Sequence, residues 1–417
     1  MRLEVVTIGT ELLLGYTVDS NGAELGHTLA AAGVEVVRRT SVPDRAEAIE
    51  AAVGEALDRT GFVITTGGLG PTRDDLTKGV VAALFGRALM LDERLLANLE
   101  ARFARMGRGP MPPANRSQAE VPQGAAVLPN PRGTAPGLWL EDPRGRVAVL
   151  LPGVPREMRG LVLEEVLPRL RERRATPPRV TRSRAVRTTG VSESALAERV
   201  GPIEDALAPL TLAYLPSVFG VDLRLTAWDM EPDEADARLA AASRELAERA
   251  GPDVYGHDDR DLAAVVLDQL RAGRRRLGVA ESCTGGLLGA RVTAVPGASD
   301  TFVGGVIAYA DAIKTATLGV PGEMLDTHGA VSEETVRAMA AGAQRLLAAD
   351  CSMAITGIAG PSGGTAEKPV GTVWLAARVD ADARALRRLF PGDRDEIRQR
   401  AAQAALDLLR RLLIGSA

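Results

Sequence analysis

Apolar residues along this chain follow two rhythms. Short runs rich in Val, Ile and Thr, such as "LEVVTIG", "VEVVRRT", "GFVITTGG" and "RVAVLLPG", alternate with longer stretches whose apolar positions recur every three or four residues. The longer stretches include "SNGAELGHTLAAAG", closed by Gly33, then "RAEAIEAAVGEALDR", "DDLTKGVVAALFG", "DERLLANLEARFARM" and "EMRGLVLEEVLPRLRE". The first rhythm predicts strands and the second amphipathic helices. Their alternation over residues 1–170 predicts a parallel sheet with helices on both faces. In such a sheet ligands gather at the carboxyl ends of the strands. The glycine-rich and polar stretches fall at those ends: 9–11, 66–75, 130–137 and 152–158.

The pattern then changes. Residues 171–187, "RERRATPPRVTRSRAVR", form a basic, proline-containing linker, which reads as a solvated connector in preference to a nucleic-acid contact. Beyond it the order is strand, helix, hairpin ("LTLAYLPSV" and "GVDLRLTAW"), helix, strand, which is the split βαβ arrangement. No chemical constellation falls in it, so 171–256 is expected to be a spacer or dimerisation module. Residues 257–417 restart a second α/β domain. Its strands are "RRLGVA", "FVGGVIAYA", "CSMAITGIAG" and "GTVWLAARV". Its helices include "SEETVRAMAAGAQRLLAA", with Ser332 as N-cap, and the closing "RDEIRQRAAQAALDLLRRLL".

Composition narrows the class. The net charge of −4 sets up no field that would attract nucleic acid, so no direct nucleic-acid binding is expected. No apolar run is long enough to span a bilayer, and "MRLEVVTIGTELLLG" is unlike a signal peptide, so no membrane association is expected. Cys283 and Cys351 are the only cysteines and form no CxxC pair, which suits a reducing cytoplasm. Lysine stands only at 78, 314 and 368 among 50 basic residues. A lysine kept where arginine is otherwise used suggests an amine that must be able to release its proton.

"TTGGLGPTRDDLTKG" combines glycines that let backbone approach a phosphate with two adjacent carboxylates, Asp74 and Asp75, at the start of a predicted helix. One carboxylate could cap the helix while the other holds a divalent ion. A tight strand-to-helix turn would read the same way. Neither GxGxxG nor a Walker A pattern is present.

"GVAESCTGG" sets Ser282 beside Cys283 before two glycines. The three histidines, His27, His257 and His328, lie outside constrained motifs of this domain. Lys314, at the end of an apolar strand, could serve as a desolvated base, and that favours Ser282 over Cys283. The amides of Gly285 and Gly286 could meet an oxyanion or a phosphate. By spacing alone the loop suits either a nucleophile or a phosphate donor.

"IGTELLLGYTVDSNGAEL", "TTGGLGPTRDDLT" and "LPGVPREM" resemble the signature stretches of the molybdopterin-binding-like domain of the CinA family of competence/damage-inducible proteins. "VAESCTGGLLG", "GVIAYADAIKTATLGV", "HGAVSEETVRAMA", "TGIAGPSGGTAEKPVGTV" and "FPGDRDEIR" resemble its C-terminal domain. The resemblance implies a molybdopterin-binding-like domain over 1–170 that cleaves ADP-ribose and an amidohydrolase domain over 257–417 that converts nicotinamide mononucleotide (NMN) to nicotinic acid mononucleotide and ammonia.

In the first domain it places Gly67, Gly68, Gly70 and Thr72 near phosphates and Asp74 and Asp75 on a divalent metal ion (magnesium, manganese or cobalt), with a monovalent cation also conceivable. Glu11, Asp19 and Asn21 match the first signature, and Lys78 would favour anionic oxygens. In the last domain it implies Ser282 as nucleophile and Lys314 as base, with no cofactor. Tyr309 and Thr356 would orient them. Thr284, Gly285, Gly286, Gly360, Gly363, Gly364, Lys368, Arg394 and Arg398 would bind substrate. A cytoplasmic homodimer is expected. The rival expectation is a nucleotide- or molybdopterin-binding adaptor in competence or recombination, without catalysis.

Overall fold

In a computed structural model, residues 1–107, 109–173 and 179–415 are described. Eight strands build the N-terminal part: β1 (Arg2–Ile8), β2 (Glu35–Val42), β3 (Phe62–Thr66), β4 (Leu89–Leu91), β5 (Glu120–Pro122), β6 (Ala126–Leu128), β7 (Gly137–Glu141) and β8 (Val147–Leu151). Six of them form one sheet in the order β2-β1-β3-β8-β7-β6, while β4 and β5 pair separately. The run β2-β1-β3-β8 is parallel, as the alternating rhythm predicts. The strands β7 and β6 extend it antiparallel. Adjacent residues enter opposite cores. Val5, Ile64 and Val149 face one, and Val6, Val63 and Leu150 the other. Each fully buried aliphatic side chain contributes about 1.5–3 kcal/mol, so both faces must be covered by helices.

The middle module comprises β9 (Val180–Thr188), β10 (Thr211–Ser217), β11 (Gly220–Met230) and β12 (Val254–His257), in the order β10-β11-β9-β12. This is the expected split βαβ order, and the predicted hairpin closes with Ser217 opposite Gly220. Part of the expected linker is the strand β9, and its residues 174–178 lie outside the described residues.

The C-terminal sheet has the order β14-β13-β15-β16-β17, with β13 (Leu277–Glu281), β14 (Phe302–Ile307), β15 (Cys351–Gly357), β16 (Thr372–Val379) and β17 (Asp382–Leu389). The first three are parallel and the last two antiparallel. Its two faces differ in side-chain size. Val279, Met353 and Leu375 pack against the helix Arg394–Leu413, whose Ile397, Ala401 and Leu406 share their core. Ala280, Ala354 and Ala376 receive the helix Glu333–Leu346 through Val336, Met339 and Ala343. Ser332 caps that helix, accepting from Thr335 N, as expected.

The described chain divides into two compact units. One is Met1–Arg182 with Trp228–Asp236, and the other is Ser183–Ala227 with Ala237–Ala417. Most of the middle module therefore packs with the C-terminal domain. No helix among the described residues is long and apolar enough to cross a membrane.

Candidate active sites

At the carboxyl ends of β1, β3 and β8, side chains link neighbouring strands. Thr7 Oγ1 donates to Asp19 Oδ2 at 3.1 Å, and Asp19 Oδ1 accepts from Gly22 N at 2.8 Å. Asn21 Nδ2 donates to Thr66 Oγ1 at 3.0 Å and to Gly153 O at 2.7 Å, leaving its own buried Oδ1 without a partner among the described residues. Glu11 folds its carboxylate over Gly9. The glycine turn follows β3. Gly67 has φ +109°, and a Cβ there would lie 2.1 Å from Ile8 O, so only glycine fits. Gly68 lies against Thr77, whose hydroxyl bonds Gly67 O.

The paired aspartates divide their work. The helix begins at Thr77, so neither aspartate is helical and neither caps it, contrary to the expected placement. Asp75 instead turns back into the loop. It accepts from Gly70 N at 2.7 Å, Thr72 N at 2.8 Å and the Thr72 hydroxyl. Asp74 stands exposed. Lys78 donates to the Ser117 carbonyl, and burial pushes its amine below the ordinary lysine range. One of the three donors of that ammonium is thus engaged with backbone. Among the described residues no group of three or more His, Cys, Asp or Glu side chains could hold a metal ion. The donors present fit an ion only in the magnesium manner, with one or two carboxylates and the rest of the shell from water and substrate phosphate.

The second site lies at the ends of β13, β14 and β15. Ser282 directly follows Glu281, which pairs with Ile307 on one side and Ile355 on the other. Ser282 N donates to Ile355 O at 2.9 Å, and Ala308 N to Glu281 O at 2.7 Å. The serine is thus seated between the two neighbouring strands, each about 4.8 Å away. Lys314 lies in the short helix Asp311–Leu318, which follows β14, rather than at a strand end. Only 1% of it is exposed, and its Nζ donates to Asp311 Oδ1 at 3.0 Å and Tyr309 O at 3.1 Å. Among the described residues no hydrogen bond joins Ser282 Oγ to Lys314 Nζ. Cys283 is buried, and desolvation pushes its thiol up to about 12.

Glu281 is a site residue that the motif spacing does not single out. It is buried, and its carboxylate accepts from Gly286 N at 3.0 Å, Leu288 N at 3.0 Å and Gly289 N at 2.8 Å. Gly285 N meanwhile donates to Ser282 O at 3.1 Å. The amides of Gly285 and Gly286, expected to meet an oxyanion or phosphate, are thus already engaged. The sequence signal was an acid directly before the serine in "AESCTGG". Thr284 Oγ1 is buried without a partner among the described residues.

Two arginines of the C-terminal helix close the site. Arg394 donates to Gly360 O at 2.5 Å and to the Tyr309 hydroxyl at 3.0 Å. Arg398 donates to Thr284 O at 2.9 Å. They tie together the serine loop, the segment after β14 and the loop after β15. Thr356 is buried, and its hydroxyl donates to Ala330 O at 2.7 Å. Lys368 Nζ donates to His328 O at 3.1 Å, while Gly363 and Gly364 lie in the exposed loop before β16.

These features define a multidomain α/β protein with a polar site at the carboxyl edge of each principal sheet, joined by a split βαβ module. Family models match along its length: "Probable molybdopterin binding domain" over residues 4–172, "Damage-inducible protein CinA KH domain" over 183–256 and "CinA C-terminal domain" over 259–413. The chain belongs to the CinA family. It is 54% identical over 411 residues to a CinA-like protein of Gemmatimonas aurantiaca, covering 99% of this chain and 96% of that one. It is 43% identical over 414 residues to a CinA-like protein of Salinibacter ruber, covering 99% and 100%. Among solved structures, the competence/damage inducible protein CihA from Agrobacterium tumefaciens is 38% identical, covering 36% of this chain and 93% of that chain, with a TM-score of 0.36.

Proposed function

We propose that the C-terminal site hydrolyses NMN to nicotinic acid mononucleotide and ammonia. The observation that carries this reading is the gathering of Ser282, Lys314, Tyr309, Arg394 and Arg398 around three adjacent strand ends. The Ser282 hydroxyl attacks the carboxamide carbon and Lys314 takes its proton. That proton then passes to the departing nitrogen, ammonia leaves, and water cleaves the acyl-serine to the acid. Lys314 Nζ lies 3.0 Å from the Asp311 carboxylate. The cationic pyridinium ring of the substrate would counter that carboxylate on binding. The guanidinium groups of Arg394 and Arg398 suit a phosphate monoester.

The N-terminal site is proposed to split ADP-ribose to AMP and ribose 5-phosphate. Its glycine turn brings backbone close to a ligand, and Asp74 would hold a magnesium-class ion together with the substrate phosphates. Such an ion, when bound, neutralises phosphoryl charge. A second reading for this domain is binding without catalysis, of a nucleotide or molybdopterin. It is favoured by the commitment of Asp75 to three loop donors.

The test is turnover of NMN and of ADP-ribose by the full chain, with and without chelator. Ser282→Ala should abolish only deamidation, and Asp74→Ala only ADP-ribose cleavage. Nicotinamide riboside, which lacks the phosphate, should be a poor substrate, and its turnover should be unaffected by Arg398→Ala. A full chain that turns over neither nucleotide would leave the binding reading in place.

A further inference from the structure

The middle module and the C-terminal domain line an open cleft of ≈ 630 Å³ that neither active site uses. Its walls come from the Thr189–Glu193 turn, the tip of the β10–β11 hairpin, the end of β17 and the face of the C-terminal helix bearing Arg400, Gln403 and Asp407. The volume lies within the ordinary range of small-molecule sites.

The polar inventory of this cavity is unbalanced. Asp253 and Asp407 are held by Arg199, Arg410 and Arg411. Among the described residues Arg388 and Arg400 have no acidic partner and the exposed Glu193, also on the wall, has no basic one. Two buried donors are unused: Nε of Arg400 and Nε2 of Gln403 have no hydrogen-bond partner among the described residues. Gln403 is 3% exposed, and its orientation is fixed because its Oε1 accepts from Arg291 Nη2 at 2.9 Å. Arg291 Nη1 is a third unpartnered donor behind the wall. Buried donors in folded proteins nearly always have a partner, so the two on the cavity wall, Arg400 Nε and Gln403 Nε2, mark where an acceptor belongs. A guanidinium and an amide side by side match the oxygens of a phosphate.

The remaining wall is apolar and partly aromatic. Phe219 and Phe390 line it, with Val218, Leu386 and Leu408. The guanidinium carbon of Arg291 lies 4.9 Å from the Phe219 ring centroid, an arrangement that steadies this ring at the hairpin tip. Aromatic faces beside phosphate donors suit a ligand with a flat ring and one anionic group. The carboxylate of Glu193 adds acceptors suited to sugar hydroxyls.

We propose that this cavity is a binding site for a mononucleotide, separate from both active sites. Arg400 and Gln403 receive the phosphate, and the base lies against the phenylalanine wall.

The experiment is calorimetric titration of the full chain with 5′-AMP, adenosine and inorganic phosphate. AMP could also enter either active site, so binding is compared among four variants. Arg400→Glu and Gln403→Leu should each remove one AMP-binding event per chain. Asp74→Ala and Arg398→Ala should retain it. Circular dichroism and NMN turnover report that Arg400→Glu and Gln403→Leu remain folded. If Gln403→Leu fails to fold, the exposed-edge variant Arg388→Glu takes its place and should weaken the same event. Adenosine should bind there about tenfold or more weakly, for want of the charged hydrogen bonds. AMP stoichiometry and affinity unchanged in both cavity variants, as when only water fills the space, would overturn the proposal. So would inorganic phosphate binding as tightly as AMP, which would leave no part for the aromatic wall.

Discussion

The buried amine of Lys314 is paired to Asp311, three residues earlier on the same short helix, at 3.0 Å. A base must be held in place to act, and this carboxylate fixes where the amine sits. Asp311→Asn removes the opposing charge but keeps an acceptor. Maximal NMN turnover should then fall by no more than about tenfold, as for a partner that positions the base rather than the base itself. Lys314→Ala should cost on the order of 10²–10⁴ in rate, as loss of a general base does. Lys314→Arg should be nearly as damaging, since guanidinium does not deprotonate. A loss with Asp311→Asn as large as that with Lys314→Ala would give the carboxylate a part in the chemistry itself.

Glu281 carries the prediction for stability. Three amides converge on its buried carboxylate where the chain enters the helix Leu287–Thr293. Glutamine offers one acceptor oxygen in place of two and turns an NH₂ toward amides. Glu281→Gln should destabilise by about 2–4 kcal/mol, read as a lower urea midpoint. NMN turnover should fall as well, because the next residue is Ser282. An unchanged midpoint would mean that the loop is held by packing alone.

The two aspartates of the first domain should separate. Asp75 accepts three loop hydrogen bonds, so Asp75→Ala should lower the thermal midpoint and abolish ADP-ribose cleavage together. Asp74 is exposed, and Asp74→Ala should leave the midpoint unchanged while removing the activity and its dependence on added divalent ion. Chelator-resistant cleavage in Asp74→Ala would exclude this carboxylate as an ion ligand.

Much of this architecture is legible in the residues because buried strands and amphipathic helices leave different periods. Val5 and Val6 fall adjacent in the sequence and in opposite cores, the mark of a strand covered on both faces. What escapes that reading is local and polar. The strand β17, "DARALRRL", is largely exposed and arginine-rich, so no apolar run announces it. β5 and β6 are three residues each, too short to show a period. At the sites, motif spacing picks out Ser282, Lys314, Asp74 and Asp75. It does not show that Glu281 consumes the glycine amides, that Asp75 folds into its own loop, or that Asp311 pairs with Lys314. Each of these depends on where a side chain turns after the backbone is built.

The adjacent pair Ser282 and Cys283 differs most in what burial does to each. A thiol attacks as thiolate, and with its ionisation pushed up to about 12 the Cys283 side chain carries almost no thiolate near neutral pH. A serine hydroxyl needs only a base at the moment of attack, and Lys314 lies in the short helix that follows the neighbouring strand β14. The native protein should therefore leave Cys283 unlabelled by iodoacetamide at pH 8, with labelling appearing only on unfolding. Cys351, likewise raised to about 12 by burial, should behave the same way, so the native chain should titrate no fast thiol. Cys283→Ala removes a small packing group and should keep most NMN turnover, while Ser282→Ala should lose it with the far-ultraviolet circular dichroism unchanged. A rapidly labelled native thiol, together with a folded but inactive Cys283→Ala enzyme, would transfer the nucleophile to the cysteine.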